Sequence, residues 1–219
     1  MEIKNLSLPV SAVPGAVSAI LTLPDKPICI LTLAHGAGAN MHHAFMEALA
    51  TSLAGADIAT LRFNFPFTEQ EKKRPDAPAV AQQAIAAAID KARELYPALP
   101  LFVAGKSFGG RMSSQLLAAQ HRKEVTGLIF YGFPLHAAGK PSIDRAAHLQ
   151  LVKVPMLFLQ GTKDTLATWD MIEAVCKSLK KATLVKLEGA DHSFKAGKNK
   201  DMIPVITAAT RDWVKKKIK

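Results

Sequence analysis

One serine stands in a turn between a strand-like run and a helix-like run, and this segment limits the possible folds more than any other part of the chain. Leu101–Ala104 is a short apolar run that suits a buried strand, and Phe108–His121 has the pattern of a helix. Between them, Gly105–Gly109 reads Gly-Lys-Ser-Phe-Gly, which fits the pattern Gly-x-Ser-x-Gly. A sharp turn of this kind lifts the serine hydroxyl above the edge of a sheet, and its glycines let strand and helix pass closely. The segment therefore predicts that Ser107 is a nucleophile.

Two other interpretations of this turn compete with a nucleophile. A phosphate-binding loop would need a glycine five positions before Gly105, where the chain has Pro100. A tight strand–helix turn without a catalytic role also fits the segment. The choice between a nucleophile and a simple turn therefore depends on what the rest of the chain supplies.

Strand-like and helix-like segments alternate along nearly the whole chain. Such alternation predicts an α/β fold, a doubly wound and mostly parallel sheet of about eight strands with helices on both faces. No linker separates a second unit, so a single domain over residues 1–219 is expected. The predicted strands are Ile3–Leu8, Ala16–Leu23, Ile28–Leu33, Ile58–Phe65, Leu101–Ala104, Val125–Tyr131, Met156–Gln160 and Thr183–Leu187, and the predicted helices are Met41–Leu53, Ala79–Leu95, Phe108–His121, Trp169–Leu179 and Ile203–Lys217.

Two more polar residues follow later predicted strands. Asp164 lies in a turn after Met156–Gln160, and His192 lies in a loop after Thr183–Leu187. Taken singly, the aspartate is typical of capping and the histidine of a solvated surface. Together with Ser107 they occur in the order Ser, Asp, His, each after its own strand, which is the order of an α/β-hydrolase catalytic triad. The sequence therefore predicts a triad of Ser107, Asp164 and His192.

A loop with two glycines follows the third predicted strand, at residues 35–40. Gly36 and Gly38 would let the backbone approach a ligand closely. The backbone N–H of Ala37 would then complete an oxyanion hole with the N–H of Phe108, which opens a helix. The predicted oxyanion hole thus consists of these two amides.

Four side chains near the predicted site are candidates for pocket lining or loop support. His35 is expected to hold its loop by hydrogen bonds rather than to act as a base, because His192 already fills that role. Arg62 and Asn64 lie at the end of the fourth strand, where either role is open. His136 follows a strand end and is a candidate for lining the pocket.

Other serines and histidines are expected to take no part. Ser113 and Ser114 lie one and two turns into a helix, where no base is expected. His121 and His148 are expected at the surface.

The chain has a formal net charge of +10, and its lysines are concentrated near the C-terminus. Such a balance can attract nucleic acid, acidic membrane surfaces or anionic substrates. The aromatic residues are not interleaved with the basic ones as they are on a platform for single strands. We therefore expect a solvated basic surface, with neither nucleic acid nor membrane as a partner. Lys195 and Lys198, shortly after His192, keep anionic substrates open.

The expected compartment is the cytoplasm. No apolar run approaches the roughly 20 residues that span a bilayer, and the N-terminus lacks the pattern of a signal peptide. Cys29 and Cys176 lie in apolar patterns and are expected to be buried small hydrophobes. The triad chemistry needs no metal and no cofactor, and none is expected. The sequence leaves the oligomeric state open.

These motifs resemble the α/β-hydrolase superfamily over nearly the full chain. More narrowly, His35–Gly38, Arg62–Pro66 and Gly105–Gly110 look like a dienelactone-hydrolase-related group. That group includes uncharacterised bacterial hydrolases and the testis-expressed-30 and chromatin-complex-subunit-3 proteins of animals. A true dienelactone hydrolase uses a cysteine where this chain has Ser107. Because Gly132–Lys153 is too short for a large lid, a minimal lid and an open site are expected.

The predicted function is that of a carboxylesterase-like serine hydrolase, acting on a small-molecule acyl substrate through an acyl-enzyme. Ester, thioester, lactone and peptide substrates all stay open. A binding or scaffold protein that kept the fold and lost turnover is the alternative, because fold does not establish function. A nucleic-acid-binding module would rest on charge alone.

Overall fold

The computed structural model describes residues 1–197 and 200–218, and an eight-stranded sheet forms its centre. The strand order is β1-β2-β4-β3-β5-β6-β7-β8. Strand β2 pairs antiparallel with both of its neighbours, and the remaining pairs are parallel. The predicted fold class is thereby confirmed. The strands are β1 Glu2–Pro9, β2 Ala16–Leu23, β3 Cys29–Ala34, β4 Ile58–Phe63, β5 Leu101–Lys106, β6 Val125–Tyr131, β7 Met156–Gly161 and β8 Ala182–Leu187.

Helices cover both faces of the sheet and create two hydrophobic cores. Successive residues of a strand point to opposite faces, so Val103 of β5 belongs to one core and its neighbours Phe102 and Ala104 to the other. Burial on both faces explains why the central strands are continuous apolar runs. The helices are α1 Ala44–Ala54, α2 Pro66–Glu69, α3 Pro78–Leu95, α4 Phe108–Ala119, α5 Trp169–Ser178 and α6 Ile203–Lys217.

The start of α1 differs from the prediction, because the helix begins at Ala44 rather than at Met41. The backbone of Met41 is engaged elsewhere: its N–H donates to Asn64 and its carbonyl accepts from Arg62. The side chain of His43 then caps the helix by accepting from the N–H of Phe45. A tertiary contact with the end of β4 thus delays the helix.

Strand β4 ends at Phe63, two residues earlier than predicted, and the short helix α2 follows it. Pro66 occupies the first turn of α2, where a proline costs no hydrogen bond. A two-stranded ribbon was also not predicted, and it consists of β9, Lys195–Ala196, and β10, Lys200–Asp201. Strands of two residues carry too few side chains to show an alternating pattern.

The connection between β6 and β7 contains one 3₁₀ helix, Asp144–Leu151, which agrees with the expected minimal lid. In the described part of the chain, no helix is both long and apolar enough to cross a membrane. Cys29 and Cys176 are buried free thiols, as predicted. Lys198, proposed above as a residue that could favour anionic substrates, lies outside the described residues.

Candidate active site

Three side chains from distant parts of the chain form one hydrogen-bonded row at the carboxyl edge of the sheet. Ser107 Oγ lies 2.8 Å from His192 Nε2, and His192 Nδ1 lies 2.7 Å from Asp164 Oδ2. The Asp164 side chain is fully buried, whereas the His192 side chain is 22% exposed. With the imidazole proton on Nδ1, facing the carboxylate, Nε2 is free to accept the proton of the serine hydroxyl. The three side chains have the arrangement of a nucleophile, a base and a group that orients the base.

The turn that carries Ser107 is strained and tightly packed. Ser107 has φ 51°, in the left-handed region, and α4 starts at the next residue. A Cβ on Gly105 would lie 2.3 Å from the backbone nitrogen of Gly110, and one on Gly109 would lie 2.6 Å from the carbonyl oxygens of Ala34 and His35. Both positions therefore require glycine, since strand and helix touch through their backbones. This close contact between strand and helix holds Ser107 at the carboxyl end of β5.

The close backbone contact at Gly109 leads to a prediction about stability. We expect Gly109→Ala to lower the free energy of unfolding by about 3 kcal/mol or more, the upper range for overpacking, because backbone atoms would have to move. Urea unfolding followed by circular dichroism measures the change. Gly38→Ala is the matched control, since a Cβ there would meet nothing within 4 Å. Equal stability of the two variants would contradict this explanation of the turn.

The carboxylate of Asp164 is fixed by two further donors besides His192. Its Oδ2 accepts from Gln160 Nε2 at 2.6 Å, and its Oδ1 accepts from the N–H of Leu166 at 2.8 Å. Gln160 is itself fully buried, and its Oε1 accepts from the N–H of Phe133. No role was predicted for Gln160. The available signal was a polar residue within the apolar strand β7, because a buried amide needs partners.

The two backbone amides of the predicted oxyanion hole lie beside Ser107 and its cavity. Phe108 follows Ser107 directly and is the first residue of α4, so its N–H has no partner within the helix. Ala37 lies in an exposed loop that borders the cavity beside Ser107. A Cβ on Gly36 would lie 3.7 Å from Ser107 Cβ, which shows how closely this loop passes the serine. The amides of Ala37 and Phe108 form no hydrogen bond with another described group.

His35 is buried beneath that loop and fixes it in place. Its Nδ1 donates to the carbonyl of Gly36 at 2.8 Å. Its Nε2 accepts from the N–H of Phe65 at 3.3 Å and from the hydroxyl of Thr68 at 3.2 Å. Burial lowers the pKa of His35 to about 4, so the ring stays neutral near pH 7. The geometry gives His35 the role of loop support.

Arg62 and Asn64 take the same kind of role on the other side of the loop. Arg62 Nη1 donates to the carbonyl of Met41 at 2.8 Å. Asn64 Oδ1 accepts from the N–H of Met41 at 2.9 Å, and Asn64 Nδ2 donates to Glu69 at 3.0 Å. Neither side chain borders the cavity at Ser107.

His136 is buried and holds the segment before α5. Its Nδ1 donates to the carbonyl of Ala137 at 2.9 Å, and its Nε2 accepts from the N–H of Thr168 at 3.3 Å. The residue does not border the cavity. Of the two roles open to His136, the structure places it in loop support.

A second serine–histidine pair contradicts the expectation that no base lies near Ser114. Ser114 Oγ lies 2.7 Å from His148 Nε2 and donates its own proton to the carbonyl of Arg111 at 2.8 Å. His148 was expected at the surface, but it is half-buried, and burial together with the charge of Arg111 lowers its pKa to about 4. The prediction was wrong because the 3₁₀ helix folds back onto α4, which no local pattern reveals. Since the Ser114 proton is already donated, this pair supports packing.

A cavity of about 870 Å³ opens beside Ser107 and His192. It lies between the N-terminal ends of α1 and α6, close to the ribbon β9–β10. Its apolar lining includes Phe45, Met46, Leu166, Phe194 and Ile203. The charged side chains at its edge are Lys106, Lys195 and Asp201. Within residues 1–197 and 200–218, no cluster of three or more His, Cys, Asp or Glu side chains could hold a metal ion.

Lys106 is a second residue of this site, after Gln160, for which no role was predicted. Its Nζ donates to the backbone carbonyl of His192 at 2.6 Å. Burial lowers the pKa of Lys106 to about 8, although the carboxylates of Asp164 and Asp191 partly oppose the shift. The pattern Gly-x-Ser-x-Gly leaves this position free, so the sequence carried no signal for it.

Comparisons with known proteins identify proteins to which this chain is similar. The profile of a family described as "Alpha/beta hydrolase domain" matches residues 27–211. A Mycobacterium tuberculosis protein, provisionally named a phosphoribosyl transferase, is 29% identical over 196 residues, which are 88% of this chain and 42% of that protein. This chain therefore spans less than half the length of that relative.

Two solved structures share the fold. A dienelactone hydrolase from Anabaena variabilis superposes with a TM-score of 0.80 at 19% identity, covering 100% of this chain and 99% of its own. A serine hydrolase without a lid from Xanthomonas campestris superposes with a TM-score of 0.75 at 23% identity, covering 99% and 95%.

Proposed function

The chain belongs to the alpha/beta hydrolase family, and we propose that it is a serine hydrolase that cleaves an ester or a related acyl bond. The observation that carries the proposal is the row from Ser107 through His192 to Asp164, with contacts of 2.8 and 2.7 Å. These contacts are within the reach that proton transfer and orientation require. The adjacent cavity gives a substrate access to the serine.

The proposed first step is acylation of the serine. His192 Nε2 takes the proton of Ser107 Oγ while the oxygen attacks the acyl carbon, and Asp164 stabilises the imidazolium that results. The amides of Ala37 and Phe108 donate to the oxyanion of the tetrahedral intermediate, an effect of about 3 kcal/mol per donor. His192 then gives the proton to the leaving group, which departs as an alcohol or thiol.

Water completes the cycle. His192 removes a proton from a water molecule as that molecule attacks the acyl-enzyme, and a second tetrahedral intermediate forms in the same oxyanion hole. Its collapse returns the proton to Ser107 and releases the carboxylic acid. In this scheme His192 carries every proton, and the two amides only donate hydrogen bonds to the oxyanion.

The cavity supports small-molecule acyl substrates. Its apolar side chains suit a hydrocarbon or aromatic portion of the substrate. The lack of a large lid suits short or protruding acyl groups. A cytoplasmic location and the lack of nucleic-acid and membrane partners remain predictions from the sequence.

Hydrolysis of short nitrophenyl esters and thioesters tests the proposed function. We expect the wild-type protein to release product catalytically and Ser107→Ala to be at background. Ser114→Ala, which alters the second serine–histidine pair, is the matched control and should keep most of the activity. Turnover that survives Ser107→Ala would contradict the assignment of the nucleophile.

A further inference from the structure

We propose that Lys106 is a positioning residue for the reaction inferred above: it fixes the loop that carries His192 relative to Ser107. The inference rests on the proposed function, because positioning matters only if His192 acts as the base. Lys106 does not touch the reacting atoms in this assignment. It acts through the backbone of His192.

The first observation is the direct bond between the two segments. Lys106 Nζ donates to the backbone carbonyl of His192 at 2.6 Å, across 86 positions of the chain. Lys106 is also the residue before Ser107, so its side chain extends from the end of the strand that carries the nucleophile turn. The nucleophile turn therefore contacts the histidine loop twice, through Ser107 Oγ and through Lys106 Nζ. Two contacts fix orientation as well as distance, which one contact cannot do.

The second observation is the aromatic pair around the ammonium. Lys106 Nζ lies 5.0 Å from the ring centroid of Phe194 and 6.0 Å from that of Phe45. The two rings stack with centroids 5.6 Å apart and an interplanar angle of 18°. A cation at such distances is attracted to the ring faces. The ammonium thus contacts the histidine loop at residue 192 and again at residue 194.

The third observation is that the loop needs such support. Phe194 has φ 62°, a left-handed conformation that is strained for a residue with a side chain. The stretch from Asp191 to Phe194 contains no helix or strand. Asp191 supplies local bonds by accepting from the N–H groups of Ser193 and Lys195. Lys106 supplies a second bond between this loop and the nucleophile turn, in addition to the contact between His192 and Ser107.

The charge of Lys106 gives the proposal a pH signature. The ionisable groups that act on the Lys106 ammonium are Asp164 and Asp191. The ring of His192 also lies close to it, because a Cβ on Gly132 would lie 3.3 Å from Lys106 Nζ and 3.5 Å from His192 Nδ1. With its pKa lowered to about 8, the ammonium becomes a neutral amine as the pH rises above that value. A neutral amine donates a weaker hydrogen bond and loses the attraction to the rings. The loop should then be held less firmly at alkaline pH.

Three proteins test the proposal: the wild type, Lys106→Met and Lys106→Arg. Methionine keeps an unbranched apolar side chain as far as the ε position and removes the donor and the charge, so we expect kcat to fall roughly 10- to 100-fold with little change in KM. Arginine keeps a charge that does not titrate in this range. We expect the wild-type kcat to decline above about pH 8, and we expect this decline to be missing in both variants.

The readouts separate the inference from the function on which it rests. Fluorophosphonate labelling of Ser107 in the wild type reports the proposed function, and its absence would overturn both. Normal wild-type labelling, together with an unchanged kcat in Lys106→Met or one shared alkaline decline in all three proteins, would overturn the positioning role alone. If Lys106→Met fails to fold, as judged by circular dichroism, the alkaline profiles of the wild type and Lys106→Arg decide the question.

Discussion

Replacing His192 with alanine is expected to lower kcat for a short acyl ester by roughly 10⁶-fold. The reason is that, in the proposed mechanism, His192 Nε2, which lies 2.8 Å from Ser107 Oγ, accepts the serine proton and then gives it to the leaving group. A serine without a base is a poor nucleophile near neutral pH. Steady-state kinetics with a nitrophenyl ester, at enzyme concentrations high enough to follow slow turnover, measures the loss.

The matched control for this variant is His148→Ala. His148 also lies 2.7 Å from a serine hydroxyl, but Ser114 already donates its proton to a backbone carbonyl. We therefore expect His148→Ala to reduce stability modestly and to keep kcat within a few-fold of the wild type. A loss of the same size in both variants would show that proximity of a serine and a histidine does not distinguish the catalytic pair.

Replacing Asp164 with asparagine is expected to lower kcat by roughly 10⁴-fold. The Oδ2 atom of Asp164 accepts from both His192 Nδ1 and Gln160 Nε2, and Oδ1 accepts from a backbone N–H. An amide has one oxygen and one NH₂ group, so it cannot accept at both positions. The NH₂ group of the asparagine must therefore face one of these donors, where no hydrogen bond can form. The imidazole then loses its orientation.

Asp191→Asn is the control for that substitution, since Asp191 lies next to His192 but caps the loop instead of facing the ring. We expect its effect on kcat to be below about 10-fold, because both N–H groups donate to Oδ1 and asparagine keeps an acceptor oxygen there. Measurement of kcat for both variants on the same ester compares them. If Asp191→Asn were the more damaging substitution, the assignment of Asp164 as the carboxylate that orients His192 would be wrong.

The fold could be predicted from the sequence because its cause is local and repeated. Each central strand is an apolar run buried on both faces, and each following helix carries its own periodicity. The order of Ser107, Asp164 and His192 carried comparable information, because parallel strands bring their carboxyl ends to one edge. Three turns, each carrying one of these residues after a strand, were thus enough to predict one site.

One class of contact that the sequence did not reveal joins a side chain to distant backbone. The Lys106 ammonium contacts the carbonyl of His192, and the backbone of Met41 accepts from Arg62 and donates to Asn64. A backbone carbonyl accepts from any donor, so such partners leave no mark on residue type at the accepting position. The delayed start of α1 follows from the contacts at Met41.

The central claim is that Ser107 is an activated nucleophile, and labelling by a fluorophosphonate probe tests it most directly. Intact mass would be measured for the wild type, Ser107→Ala and Ser114→Ala after the same exposure. We expect one probe molecule per chain in the wild type and in Ser114→Ala, and none in Ser107→Ala. Folded wild-type protein that stays unlabelled, or Ser107→Ala that still takes up the probe, would contradict the account.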